Sequence, residues 1–177
     1  MHMALETRPW TRADLDRLPD DGNRYEVVDG RLFVTPAPSA VHQQIVAWLS
    51  ARITPFVVAN GVGVVHQSPS VMVKDDSQVE PDLMVLPNGV FIDWSRAPTP
   101  ILVVEVLSRS TRRRDLNEKR DFYIGRAVEE YWVVDREDRS VVRFRGGTAE
   151  TVTGLLKWTP GCAETLEMDL TELFAQF

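Results

Sequence analysis

The sequence is poor in the residues that build disulfides and zinc sites. Its 177 residues include one cysteine, Cys162, and three histidines, His2, His42 and His66, which lie far apart. A single cysteine excludes an internal disulfide, and with three scattered histidines it makes no recognisable zinc-ligand set. Because a lone cysteine also suits a reducing compartment, we expect a cytoplasmic protein.

Long apolar runs and an excess of positive charge are missing as well. No apolar stretch approaches the ~20 residues of a membrane-spanning helix, and no signal-peptide pattern is present, so we expect no membrane association. The net charge of −6 argues against a uniformly basic protein that coats nucleic acid, although it leaves a local basic groove open. With 44% hydrophobic residues and no linker-like stretch, the sequence predicts a single domain over residues 1–177.

Helix and strand signals mix along the chain and predict an α+β or mixed α/β fold. Asp29-Gly30, between two strand-like segments at 24–28 and 31–35, is a strong hairpin signal. Ser39 can cap an amphipathic helix that Asn60-Gly61 closes. Further strands are expected at 62–67, 70–74, 79–86, 101–107, 130–135, 140–145 and 155–158, with a short helix after Thr11 and a terminal helix capped by Asp169.

The most informative stretch is 101–135, which predicts a buried strand followed by a helix. Glu105 lies within an otherwise apolar run, and a buried carboxylate is costly unless a cation, a proton or several donors meet it. In the helix, Leu116, Lys119 and Tyr123 are spaced by three and four residues, which turns the lysine inward. A structural ion pair and a functional site explain Glu105 equally well, and a lysine reaching out to solvent is the ordinary alternative for Lys119.

Asp82 and three consecutive arginines are the next candidates. In the predicted strand 79–86, Asp82 shares its face with two large apolar residues, which favours partial burial, although an exposed acid at a sheet edge is the commoner case. Arg112, Arg113 and Arg114 precede the helix and could contact phosphates, although such a charge run is more often simply solvated.

Taken together, these residue types suit one chemistry. Two carboxylates on neighbouring strands can hold a hard divalent cation such as Mg²⁺, with water filling the remaining positions. A nearby lysine can orient the attacking water or neutralise charge that develops at a phosphoryl centre. Considered alone, Glu26 gives no functional signal, and His42 near a helix start is more often structural than catalytic. The residues permit this chemistry without establishing it.

Several segments together resemble the Uma-type family of proposed restriction endonucleases, within the PD-(D/E)xK nuclease superfamily. The resemblance covers roughly residues 10 to 170 and implies a restriction-endonuclease-like α/β fold, a mixed central sheet flanked by helices, with an N-terminal hairpin and helix. The segments that carry it are Tyr-Glu-Val-Val-Asp-Gly (25–30), Ser-Ala-Val-His-Gln-Gln-Ile (39–45), Glu-Pro-Asp-Leu-Met-Val (80–85), Leu-Val-Val-Glu-Val-Leu-Ser (102–108), Ser-Thr-Arg-Arg-Arg-Asp-Leu-Asn-Glu-Lys (110–119) and Glu-Glu-Tyr-Trp-Val-Val-Asp (129–135).

The resemblance also implies roles for individual residues. Asp82 would be the aspartate of the PD element, Glu105 the second acid and Glu26 an additional acid from an earlier element. The superfamily's lysine would fall at Leu107 and is absent there, so the resemblance points to Lys119 on the following helix. His42 matches a recurring family residue to which we assign no role at this point.

The implied activity is endonucleolytic hydrolysis of DNA phosphodiester bonds with Mg (or Mn) as cofactor. Asp82 and Glu105 would bind the metal, Lys119 would orient the attacking water, and Arg112–Arg114 would contact the DNA backbone. Cleavage of both strands would suit a homodimer with two sites. The alternative is a catalytically silent nucleic-acid-binding or protein-interaction module, which the acidic net charge and the lack of a separate base-reading region favour.

Overall fold

The computed structural model describes residues 8–69, 71–90, 93–108, 111–161 and 163–177, so that Cys162 lies outside it. The strands are β1 Arg24–Val28, β2 Arg31–Thr35, β3 Gly63–Gln67, β4 Met72–Lys74, β5 Ser77–Val79, β6 Leu83–Pro87, β7 Leu102–Val106, β8 Glu130–Asp135, β9 Ser140–Arg145, β10 Thr148–Val152, β11 Leu155–Trp158 and β12 Leu166–Asp169. The helices are α1 Arg12–Leu15, α2 Ala40–Ala59, a 3₁₀ turn Trp94–Arg96, α3 Arg112–Arg114, a π-helical segment Asp115–Lys119, α4 Arg120–Gly125 and α5 Leu170–Phe174.

A six-stranded sheet in the order β10-β9-β8-β7-β6-β3 is the centre of the fold. Strands β7 and β8 run parallel, with the α3–α4 helical region between them in sequence, and the other neighbouring pairs are antiparallel. The fold also contains a separate four-stranded sheet in the order β2-β1-β5-β4 and the β11-β12 hairpin. The predicted mixed central sheet flanked by helices, with an N-terminal hairpin and helix, is confirmed.

Each face of the central sheet is covered by its own hydrophobic cluster. On one face, Val85 and Val104 belong to the cluster that includes α2, β11, β12 and α5. On the other face, Met84 and Val103 pack with side chains of α4 and of the four-stranded sheet. Because side chains alternate along a strand, Glu105 extends toward the second face, the one that α4 covers.

The local signals around the first hairpin and the long helix act as the sequence predicts. Asp29 and Gly30 have positive φ values of 46° and 80°, which a two-residue turn between twisted antiparallel strands requires. Ser39 Oγ accepts a hydrogen bond of 3.2 Å from the backbone N–H of His42 and caps α2. The helix then continues through Pro55 and ends at Asn60, since a proline can be accommodated where packing holds the helix together.

The predicted strand 79–86 is wrong in one respect, because the chain changes sheets in the middle of it. Strand β5 ends at Val79 in the four-stranded sheet, and β6 begins at Leu83 in the central sheet. Pro81 lies between them, and a proline without an N–H cannot continue a ladder. Asp82 therefore stands at the junction of the two sheets and immediately before β6, rather than within a strand.

Strands β10 and β12 were not predicted. Thr148–Val152 is mostly exposed at the edge of the central sheet, so it lacks the apolar alternation by which a strand is recognised. Leu166–Asp169 is four residues long and acquires its strand geometry by pairing with β11.

Among the described residues, no helix is both long and apolar enough to cross a membrane.

Candidate active site

Two carboxylates face each other where β6 and β7 meet. The register pairs Leu83 with Val104, so the next step along this antiparallel pair sets Asp82 opposite Glu105 and on the same side. Both are buried, with 3% and 2% of their surface exposed. Like charges directly opposed across two strands are destabilising. Such a pair therefore needs protons, cations or hydrogen-bond donors around it.

Asp82 meets three donors from three different segments. Arg24 Nη1 of β1 lies 3.1 Å from Oδ1. His42 Nε2 of α2 lies 2.9 Å from Oδ2, and the backbone N–H of Val106 donates to the same oxygen at 2.8 Å. Burial pushes the pKa of Asp82 upward, but the His42 hydrogen bond, the Val106 N–H and Arg24 outweigh it and hold that pKa below its usual range.

Glu105 is held from the side of the helix. Lys119 Nζ donates to its Oε1 at 2.7 Å, and the Tyr123 hydroxyl donates to the same oxygen at 2.8 Å. The lysine also lies 2.7 Å from Oε1 of Glu26, a carboxylate of β1 that accepts from the backbone N–H of Glu80 at 2.8 Å. Lys119 has no exposed surface, so the inward orientation predicted from its helical spacing is confirmed.

Arg114 and Asp115 extend this buried network. Arg114 Nη1 lies 3.1 Å from Glu26 Oε2 and donates to Thr35 Oγ1 at 2.7 Å, while Nε donates to Asp115 Oδ1 at 3.2 Å. Asp115 and Lys119 are the first and last residues of the π-helical segment, and both are buried. Segments of this kind occur often at functional sites, because an added residue per turn redirects side chains that an α-helix would align differently.

A cavity of about 380 Å³ opens onto this region. Asp82, Glu105 and Asp115 line it, together with Arg24, His42 and Arg114, whereas Glu26 and Lys119 lie behind this lining. Arg112 and the exposed Arg136 line another part of it. The cavity thus gives a ligand access to two opposed carboxylates and keeps the lysine in the layer beneath them.

Acidic residues outnumber fixed cations in the site. Its members are the carboxylates Glu26, Glu80, Asp82, Glu105 and Asp115 and the fixed cations Arg24, Arg114 and Lys119. Burial raises the pKa of Glu105 to about 8 in spite of the Lys119 charge, and the charges of Asp82, Asp115 and Glu26 contribute to that rise. Burial also lowers the pKa of Lys119, but Glu105 and Glu26 more than reverse this and raise it above its usual value.

This donor set fits a hard divalent cation held by two carboxylates. Asp82 and Glu105 are opposed and line one cavity together with Asp115. Across the described ranges, no group of three or more His, Cys, Asp or Glu side chains is arranged to hold a metal ion. Two protein carboxylates, completed by water and substrate phosphate, are nevertheless a usual arrangement for Mg²⁺.

The structure brings together four predicted site residues and separates the three arginines. Glu26, Asp82, Glu105 and Lys119 meet in one buried network around the β6–β7 junction. The arginines have three different environments: Arg112 is paired with Asp135 and Asp138, Arg113 is exposed, and Arg114 belongs to the buried network. Because the Arg114 side chain is buried, the expected contact of this arginine with the DNA backbone is disfavoured.

Sequence reasoning missed three polar contributors to this network, and each had a signal. Arg24 lies two residues before Glu26 and therefore on the same side of β1, where a cation could meet the other acids. Asp115 lies four residues before Lys119 on the same helical stretch. Tyr123 shares the inward helical stripe with Lys119, and its ring packs in the core while its hydroxyl reaches Glu105.

Comparisons with known proteins agree with this fold. A crystal structure described as "a putative nuclease belonging to DUF820" from Anabaena variabilis ATCC 29413 superposes with a TM-score of 0.77 and 19% sequence identity. The match covers 94% of this chain and 98% of that one, so the fold is shared over nearly the whole length of both.

The sequence itself gives the family. Residues 12–171 match the Uma2 family, described as "putative restriction endonuclease", and the chain belongs to that family. No curated protein matches the sequence.

Proposed function

We propose that this protein is a metal-dependent endonuclease that hydrolyses DNA phosphodiester bonds at the Asp82–Glu105 cavity. The observation that supports it most directly is the opposition of these two carboxylates where β6 and β7 meet, at the wall of one cavity. Membership of the Uma2 family supports a nuclease as the class of enzyme.

In this proposal Asp82 and Glu105 bind Mg²⁺ (or Mn²⁺), and the other residues hold them in place. The bound ion would lower the pKa of a water molecule and stabilise charge at the phosphoryl group. Lys119 fixes Oε1 of Glu105, and Glu26 anchors the lysine from the opposite side. We assign the orientation of the attacking water to Lys119 acting through Glu105, which lines the cavity and whose Oε1 the lysine holds at 2.7 Å.

Contacts with the DNA backbone are assigned to arginines near the cavity. Arg112 and Arg136 line it, and Arg113 is exposed on the same helical region as Arg112. Arg136 has no ion-pair partner within the described ranges, so its charge is free to meet a phosphate. Arg114 would contribute from beneath by fixing Glu26. Cleavage of both strands would call for two such sites, as in a homodimer.

The test combines DNA cleavage with metal titration. Purified protein with Mg²⁺ or Mn²⁺ should nick supercoiled plasmid, and calorimetry should detect Mn²⁺ binding. Asp82→Asn should abolish both, whereas Asp121→Asn, the same change at an exposed aspartate of α4, should preserve both. If Asp82→Asn or Lys119→Met cuts DNA as well as the parent protein at a temperature where both are folded, the assignment of the site is wrong.

The competing function is a module that binds without cutting. It is favoured by the donors that already surround Asp82, since Arg24, His42 and Val106 satisfy much of that carboxylate without a metal. Mn²⁺ titration separates the two functions, because the silent module predicts no binding that depends on Asp82 or Glu105 even though both acids are intact.

A further inference from the structure

His42 occupies a position from which it can control the orientation of Asp82. It lies in the first turn of α2, where its backbone N–H is fixed by the capping oxygen of Ser39. Its side chain takes no part in capping and lines the cavity instead, with Nε2 at 2.9 Å from Asp82 Oδ2. When the aspartate is ionised, the proton of this hydrogen bond belongs to Nε2, because a carboxylate only accepts.

The hydrogen bonds accepted by the two oxygens of Asp82 show what the His42 contact does. A carboxylate oxygen accepts about two hydrogen bonds. Oδ2 receives two, from His42 Nε2 and from the backbone N–H of Val106, whereas Oδ1 receives one, from Arg24. The carboxylate is therefore fixed through Oδ2 and keeps one acceptor position on Oδ1.

We propose that His42 is a positioning residue, which holds Oδ2 of Asp82 against the Val106 amide so that Oδ1 stays directed toward a cation in the cavity. This role rests on the proposed function for its effect on metal binding, while the hydrogen bonds themselves do not. His42 touches a metal-binding residue rather than the reacting atoms, so its contribution is orientation, as with other residues that support metal ligands.

Two substitutions at His42 test whether a hydrogen-bond donor at the position of Nε2 is enough, without the imidazole ring. Glutamine in His42→Gln can set its amide nitrogen near the place of Nε2, whereas the shorter asparagine in His42→Asn reaches only about as far as Nδ1. We expect His42→Asn to weaken Mn²⁺ binding about 10-fold to 100-fold in calorimetry. His42→Gln should stay within about threefold of the parent, since hydrogen bonding by an amide reproduces most of the contact. His66→Gln, on β3 with its ring against Trp94, is the matched control and should bind Mn²⁺ normally.

A second measurement needs no metal. The amide proton of Val106 donates to Asp82 Oδ2, so its exchange with solvent, followed by NMR, reports whether the carboxylate is held. His42→Asn should accelerate this exchange about 10-fold, and His42→Gln should leave it near the parent rate.

The outcomes distinguish this proposal from the proposed function. Parent-like Mn²⁺ affinity and parent-like Val106 exchange in His42→Asn would overturn the positioning role. Equal losses in His42→Asn and His42→Gln would overturn it too, because the imidazole itself would then be required. If the parent protein binds no Mn²⁺ but the Val106 amide responds as expected, the metal-dependent function fails and the positioning role stands.

Discussion

Removal of the Lys119 charge tests the buried ion-pair network most directly. In Lys119→Met the side chain keeps its length and loses the ammonium that lies 2.7 Å from both Glu26 and Glu105. Arg114 still neutralises Glu26, but Glu105 retains only the Tyr123 hydroxyl. Loss of one partner from a buried pair costs about 3–5 kcal/mol, because the remaining charge is left in a medium that solvates it poorly.

The assay is urea or thermal unfolding at about pH 9, above the Glu105 pKa of about 8, so that this carboxylate is ionised in the folded parent protein. For a chain of this size a loss of this magnitude lowers the Tm by about 10 °C. Lys157→Met is the matched control, since this lysine has a partner at a similar distance, Glu167 at 2.6 Å, but 57% of its side chain is exposed. The control should change the free energy of unfolding by no more than about 1 kcal/mol.

A double substitution identifies the source of the loss. In Lys119→Met/Glu105→Gln the carboxylate that lacks a cation is itself removed, so about half of the lost stability should return. A loss below about 1 kcal/mol in Lys119→Met would refute the reasoning, since it would mean that water or protons compensate the two acids without the lysine. A large loss with no recovery in the double variant would attribute the effect to packing.

Three further predictions concern Glu105, Arg136 and Gly63. Because the pKa of Glu105 is raised to about 8 in the folded state, the folded protein keeps a proton that the unfolded chain releases above about pH 4.5. Metal-free stability should thus fall by up to about 1.4 kcal/mol per pH unit between these values and level off above pH 8, and Glu105→Gln should remove that slope. Arg136→Ala should lower the slope of log K against log salt for DNA by about 1. The control is Arg139→Ala, at an exposed arginine of the same turn that does not line the cavity and has no ion pair with another described residue, and it should leave the slope unchanged; equal effects would contradict a cavity-directed contact. Gly63→Ala should cost at least about 1–3 kcal/mol in chemical unfolding, because a Cβ would stand 1.9 Å from a backbone oxygen of β6, whereas Gly89→Ala, with open space around it, should be near neutral.

Much of the fold follows from short-range signals. The Asp29-Gly30 turn, the Ser39 cap and the apolar run of β7 each depend on residues within a few positions of one another, and the structure has all three. The strand that was predicted across Pro81 failed because periodicity continues through a point where hydrogen bonding does not. Strand β10 was missed since its residues face solvent and owe their geometry to a neighbouring strand.

The same distinction between short-range signals and long-range contacts applies to the site. The buried environment of Glu105 and the inward face of Lys119 follow from apolar neighbours at regular spacing, and the structure has both. No periodicity could show that Glu26 and Arg114 are 3.1 Å apart, since they come from a hairpin and a helix that are far apart in the chain. The family resemblance named Glu26 without locating it.

The sequence by itself determined the first hairpin, the cap of α2, the buried strand with Glu105 and the inward face of Lys119, because caps, turns and alternation act over a few residues. Only the tertiary structure decided that Asp82 opposes Glu105, that Lys119 lies beneath them between two acids, and that Arg114 joins the interior while Arg113 stays outside. The physical reason is that strand order and register, and the π-helical turn before α4, bring these side chains within hydrogen-bond distance. These arrangements are selected by the packing of the whole core.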